Sequence, residues 1–93
     1  MIMPDHVHMI IELCVGQTLA KVMHSLKRFT AREINKYLSQ DGQFWQSGYR
    51  DWGVRNRAAL NNMIRYCYAN PVRKGIVEAA RDYPYWWCKF EME

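Results

Sequence analysis

The chain has 93 residues, 49% of them hydrophobic and 24% charged, with 13 Lys/Arg against 9 Asp/Glu for a net charge of +4. This length allows one small domain and the composition is globular rather than disordered. No apolar run approaches the length of a membrane span, which excludes a transmembrane helix, and the first fifteen residues lack the basic stretch of a secretory signal, which argues against a signal peptide.

The charge is unevenly spread. Residues 21–75 carry eleven Lys/Arg against Glu33, Asp41 and Asp51, while both ends are net acidic. A basic middle is the electrostatic footprint of a polyanion-binding protein, or a solvated face that keeps the chain soluble. Three cysteines, Cys14, Cys67 and Cys88, are an odd number without close spacing. They read as reduced, buried thiols of a cytoplasmic protein rather than a disulfide framework or a four-thiolate zinc site.

In chain order, His6 to Leu13 alternates. Val7, Met9, Ile11 and Leu13 point one way and His6, His8, Ile10 and Glu12 the other, the pattern of a half-buried strand ending at Val15-Gly16. Thr18 is a helix N-cap, and the following helix extends to about Leu38. Its apolar stripe is Leu19, Val22, Met23, Leu26, Phe29, Ile34 and Tyr37, with Lys21, Arg28, Arg32 and Lys36 in a line on the opposite face. Ser39-Gln40-Asp41-Gly42 is a turn. Phe44-Trp45-Gln46 and Tyr49 to Val54 read as aromatic-rich extended stretches. A second helix is expected from about Asn56 to Asn70, with Leu60, Met63, Ile64 and Cys67 facing the core and Pro71 ending it. Val72 to Glu93 reads as an irregular tail anchored by Tyr83-Pro84-Tyr85-Trp86-Trp87.

Two constellations could carry chemistry. His6 and His8 are two apart on a strand and project from one face, so their rings can converge on one divalent cation, although unliganded histidines are the commoner outcome of this spacing. Tyr66 and Asn70 are neighbours at i, i+4 on the second helix, about 100° from the core stripe. Tyr68 falls nearer that stripe and reads as a packing residue. A phenol is a weak nucleophile at neutral pH, because its pKa is near 10. Attack on a phosphodiester therefore needs a cation to polarise the phosphate and favour the developing phenolate. Two imidazoles and an amide oxygen leave an open site suited to Mg²⁺ or Mn²⁺.

The ordered blocks Met3-Pro4-Asp5-His6-Val7-His8, Leu26-Lys27-Arg28-Phe29-Thr30, Phe44-Trp45-Gln46-Ser47-Gly48-Tyr49, Tyr66 through Val77 and Asp82-Tyr83-Pro84 span essentially the whole chain. This string resembles the REP-associated tyrosine transposases, a branch of the single-tyrosine HUH transposases of insertion sequences.

The resemblance implies an α+β fold over residues 1–93: one HUH transposase-like domain, an antiparallel sheet of ferredoxin-like core with helices packed on one face. Relative to that family the domain reads as partial, incomplete at the N-terminus. The implied activity is metal-dependent nicking and strand transfer of single-stranded DNA at hairpins through a 5′-phosphotyrosine intermediate. By the same resemblance Tyr66 is the nucleophile, and His6, His8 and Asn70 are ligands of a divalent ion, Mg²⁺ or Mn²⁺. Lys21, Lys27, Arg28, Arg32, Lys36, Arg50, Arg55, Arg73 and Lys74 would follow the DNA backbone. Trp45, Tyr49 and Trp52 would stack on unpaired bases, with core packing the alternative for each. The competing expectation is a catalytically inactive remnant that still binds hairpin or single-stranded DNA. An exposed edge of the histidine strand would also invite a homodimer.

Overall fold

The computed structural model describes residues 1–90, so the last three positions of the expected aromatic tail lie outside the described residues. The chain divides into two compact units, one made of residues 1–10 with the stretch from Trp52 onward, the other of Ile11–Asp51.

The second unit is built on helix α1, Leu19–Tyr37. It starts where the Thr18 hydroxyl accepts from the Lys21 N–H at 3.3 Å, satisfying one of the unpaired donors of the first turn. It ends in a left-handed residue, Ser39 at φ 55°. The Ser39 and Gln40 N–H groups return to the carbonyls of Lys36 and Asn35. None of its residues is buried, and Phe29 and Tyr37 of the expected core stripe are 54% and 88% exposed. The helix period was legible, but the described residues supply no layer to cover its apolar face.

The first unit is built on helix α2, Arg57–Arg73. Asn56 caps it, its side-chain oxygen accepting from the Ala59 N–H at 2.8 Å. The helix does not stop at Asn70 as Pro71 led us to expect. Proline removes one i→i−4 bond but keeps a helical φ, and its ring here is fully buried. The true end is set further on by Gly75, at φ 72°. The Gly75 N–H returns to the Val72 carbonyl (3.0 Å) and the Ile76 N–H to the Pro71 carbonyl (2.9 Å), a Schellman termination. Ile64, Met3 and Tyr83 form the buried apolar centre beside Asn70 and Pro71. A short 3₁₀ turn at Ala80–Asp82 packs against α2.

The expected antiparallel sheet is overturned. Among the described residues there are two α-helices and no strand, only an isolated antiparallel bridge between Ile2 and Val7. Alternation makes a segment fit for a sheet, but a strand exists only when a neighbour takes its N–H and C=O groups. Residues 9–15 find no such ladder, and Met9, Ile10, Ile11, Leu13 and Val15 are all exposed. Tyr49 to Val54 is likewise unpaired. The expectation of buried thiols also fails at Cys14, which is exposed, while Cys67 and Cys88 are half-buried.

Candidate active site

Residues 1–8 turn back on themselves. Pro4 and Asp5 occupy the corner, the Met3 N–H donates to the His6 carbonyl (2.8 Å), and the His8 N–H donates to the Met1 carbonyl (3.0 Å). Proline presets φ for such a corner. Two further bonds hold the turn to the rest of the unit: the Ile2 N–H donates to the Tyr85 carbonyl, and the Tyr83 hydroxyl donates to the Ile2 carbonyl.

This turn places Asp5, His6 and His8 in a row. The Asp5 carboxylate lies 2.5 Å from His6 Nδ1, and the bond from His6 holds the carboxyl below its ordinary pKa. His6 Nε2 lies 3.1 Å from His8 Nε2, with the rings edge to face. His8 Nε2 in turn lies 3.1 Å from Nδ2 of Asn70, which is 3% exposed. Burial is the main cause of a lowered His8 pKa, reinforced by His6, the terminal amine and Arg73, so its neutral form is favoured.

The donor set suits a divalent ion. Asp5 takes the Nδ1 proton of His6, and Asn70 can give an amide N–H to His8. His8 Nε2 has a single lone pair, so it either accepts the Asn70 amide N–H or joins His6 Nε2, 3.1 Å away, in holding a cation, not both. His6 and His8, 3.1 Å apart at Nε2, would be the two nitrogen donors to such an ion. Asn70 Oδ1, which receives an Arg73 N–H at 3.4 Å, keeps a second lone pair for a third bond. Among the described residues no three His, Cys, Asp or Glu side chains are placed to hold a metal ion together, so a site here rests on two imidazoles and an amide.

Tyr66 lies one turn before Asn70 on α2 and is 59% exposed. Tyr68 instead packs on Trp86, with ring centroids 4.7 Å apart. The Arg73 guanidinium sits 3.9 Å from the Tyr66 ring centroid and donates to the Tyr66 carbonyl at 2.6 Å.

The remaining candidates are dispersed. Lys21, Arg28, Arg32 and Lys36 are exposed on α1, with Arg32 4.0 Å from Glu33. Lys27 turns inward within its unit, its ammonium donating to the carbonyls of Gln46 (2.7 Å) and Gly48 (3.1 Å). Trp45 is half-buried and donates its indole N–H to the Thr30 hydroxyl at 2.8 Å. These residues border an open cleft of about 380 Å³, lined by His24, Lys27, Arg28, Phe44 and Trp45 among others. Tyr49 and Arg50 are exposed in the same unit. Trp52, Arg55 and Lys74 are exposed in the other, Trp52 at 70%.

The family described as "Transposase IS200 like" matches residues 1–70. The chain belongs to the IS200-like transposase family. It is 29% identical over 94 residues to a protein of Haemophilus influenzae (strain KW20 / Rd) that carries the provisional name REP-associated tyrosine transposase. That alignment covers 90% of this chain but 53% of the relative, so the chain spans about half the length of the curated relative it matches. No solved structure matches it. No described helix is long and apolar enough to cross a membrane.

Two residues beside the candidate site, Asp5 and Arg73, are not among the expected site residues in the roles their contacts suggest. Asp5 carries no role in the expectations above, although its place beside His6 after Pro4 is a usable signal for a carboxylate that orients an imidazole. Arg73 is expected only among the cations that follow the DNA backbone, and its place over Tyr66 depends on α2 continuing past Asn70.

Proposed function

We propose that the chain carries the reaction centre of a DNA strand transferase that nicks single-stranded or hairpin DNA with Tyr66 as nucleophile. The observation that supports this reading most is the approach of His6, His8 and the buried Asn70 amide, with exposed Tyr66 one helical turn away. His6, His8 and Asn70 would hold a divalent ion, Mg²⁺ or Mn²⁺. When bound, that ion supplies charge that offsets the negative charge developing on the phosphate.

In the reaction the Tyr66 hydroxyl oxygen bonds to phosphorus and the bond from phosphorus to the 3′ oxygen breaks. The phenol proton passes to solvent, and the departing 3′ oxygen takes up a proton. The product is a tyrosine linked to the 5′ phosphate and a free 3′ hydroxyl. One phosphodiester is exchanged for another, so a 3′ hydroxyl can reverse the step without an external energy source. Exposed cations on α1, with Arg50, Arg55 and Lys74, supply backbone attraction, and Trp52 and Tyr49 offer faces for unpaired bases. The compartment for such work is the one that holds the DNA, the bacterial cytoplasm.

The test is incubation with a single-stranded hairpin oligonucleotide and Mn²⁺ or Mg²⁺. A denaturation-resistant protein–DNA adduct is expected, absent in Tyr66→Phe and strongly reduced in His8→Ala. An undiminished adduct in Tyr66→Phe removes Tyr66 from the role. A second reading, a silent DNA-binding remnant, is favoured by one observation: α1 has no buried residue. Salt-sensitive hairpin binding without an adduct under either metal would select it.

A further inference from the structure

The Tyr66 ring is exposed, so the helix backbone alone leaves it free to occupy more than one side-chain rotamer. A nucleophile needs the opposite, a single orientation toward the reacting phosphorus. One group in the unit supplies that restraint. The Arg73 guanidinium lies 3.9 Å from the ring centroid, within stacking distance. It is itself fixed at two other points, the Tyr66 carbonyl at 2.6 Å and Asn70 Oδ1 at 3.4 Å.

The backbone explains why Arg73 can reach. It follows Tyr66 by seven residues and Asn70 by three, so all three share one face only if α2 continues unbroken through Pro71. The bonds that close the helix after Arg73 secure that continuation.

We propose that Arg73 is a positioning residue: it holds the Tyr66 ring in one orientation and ties it to Asn70, rather than serving mainly as a contact to the DNA backbone. This inference rests on the reading of Tyr66 as nucleophile. The flat guanidinium is the essential feature, because it stacks and donates sideways at once. Lysine keeps the charge but can do neither together.

The experiment uses the full chain and the Arg73→Lys variant. Adduct formation on a single-stranded hairpin oligonucleotide with Mn²⁺ is followed at saturating DNA, alongside the oligonucleotide's Kd and its salt dependence. The expected result is a rate at saturation lower by about tenfold or more, with Kd changed less than about threefold and an unaltered salt slope. A rate at saturation equal to wild type, or a loss confined to Kd, overturns the proposal.

The stacked pair is read separately by NMR. The Arg73 side-chain protons should show an upfield ring-current shift that vanishes in Tyr66→Leu. Absence of that shift in the wild-type chain overturns the proposal even where the rate falls. If the wild-type chain forms no adduct while the shift is present, the nucleophile reading fails, and the catalytic role of Arg73 with it.

Discussion

His8 joins the histidine pair to a buried amide, and its surroundings set the sign of a pH effect. Its folded pKa is lowered, chiefly by burial, so the unfolded chain binds the proton more readily. The stability contributed by neutral His8 is fully present above the ordinary imidazole value of about 6.5 and is lost as pH falls below it toward the lowered folded value. Asp5, also lowered, acts in the same direction at more acid pH: its contribution holds above the usual carboxylate range and disappears as pH falls through its folded value. Urea unfolding midpoints should therefore decline between pH 7.5 and 5.5. In His8→Gln that decline should flatten, and a midpoint that rises on acidification would contradict this account of the site.

The two helices show what a sequence pattern can and cannot specify. Gly75 is the only residue type that takes φ 72° without strain, and its N–H closes α2 onto Val72. Gly75→Ala should destabilise the first unit by about 1 kcal/mol, read as a lower melting midpoint. Both helix starts were legible, because Thr18 and Asn56 offer side-chain oxygens just ahead of periodic segments. The end of α2 is not legible from Pro71 alone, because the closure made by the Gly75 and Ile76 N–H groups sets it further on. The separation of Tyr66 from Tyr68 was legible for a simple reason: helical phase depends on spacing alone. The sheet was not, because alternation in His6 to Leu13 states which side chains share a face but not whether another segment will pair with it. The histidine pair is nameable from spacing, whereas the corner that brings Asp5 to His6 is held by a local bond from Met3 to the His6 carbonyl and by one from Ile2 to the distant Tyr85 carbonyl.

For the molecule as a whole, the segment Met9 to Val15 matters most. Its large apolar side chains are exposed, Val15 completely, and its backbone has no ladder partner among the described residues. Unpaired extended backbone with apolar side chains is the usual template for joining a second chain. At micromolar concentration light scattering should give a mass above that of one 11.1 kDa chain, and Ile11→Lys combined with Leu13→Lys should return it to the monomer. A monodisperse monomer of the unaltered chain would remove this segment as a contact between copies.

Tyr66, Asn70 and Arg73 fall within an arc of about 60° because they are separated by four and three residues on a continuous helix. That makes α2 a ruler as well as a support. Exchanging a side chain elsewhere between positions 66 and 73 leaves the graduation intact. Adding or removing one residue there turns everything beyond it by about 100° and carries Arg73 off the ring. In this stretch the count of residues is itself chemical information.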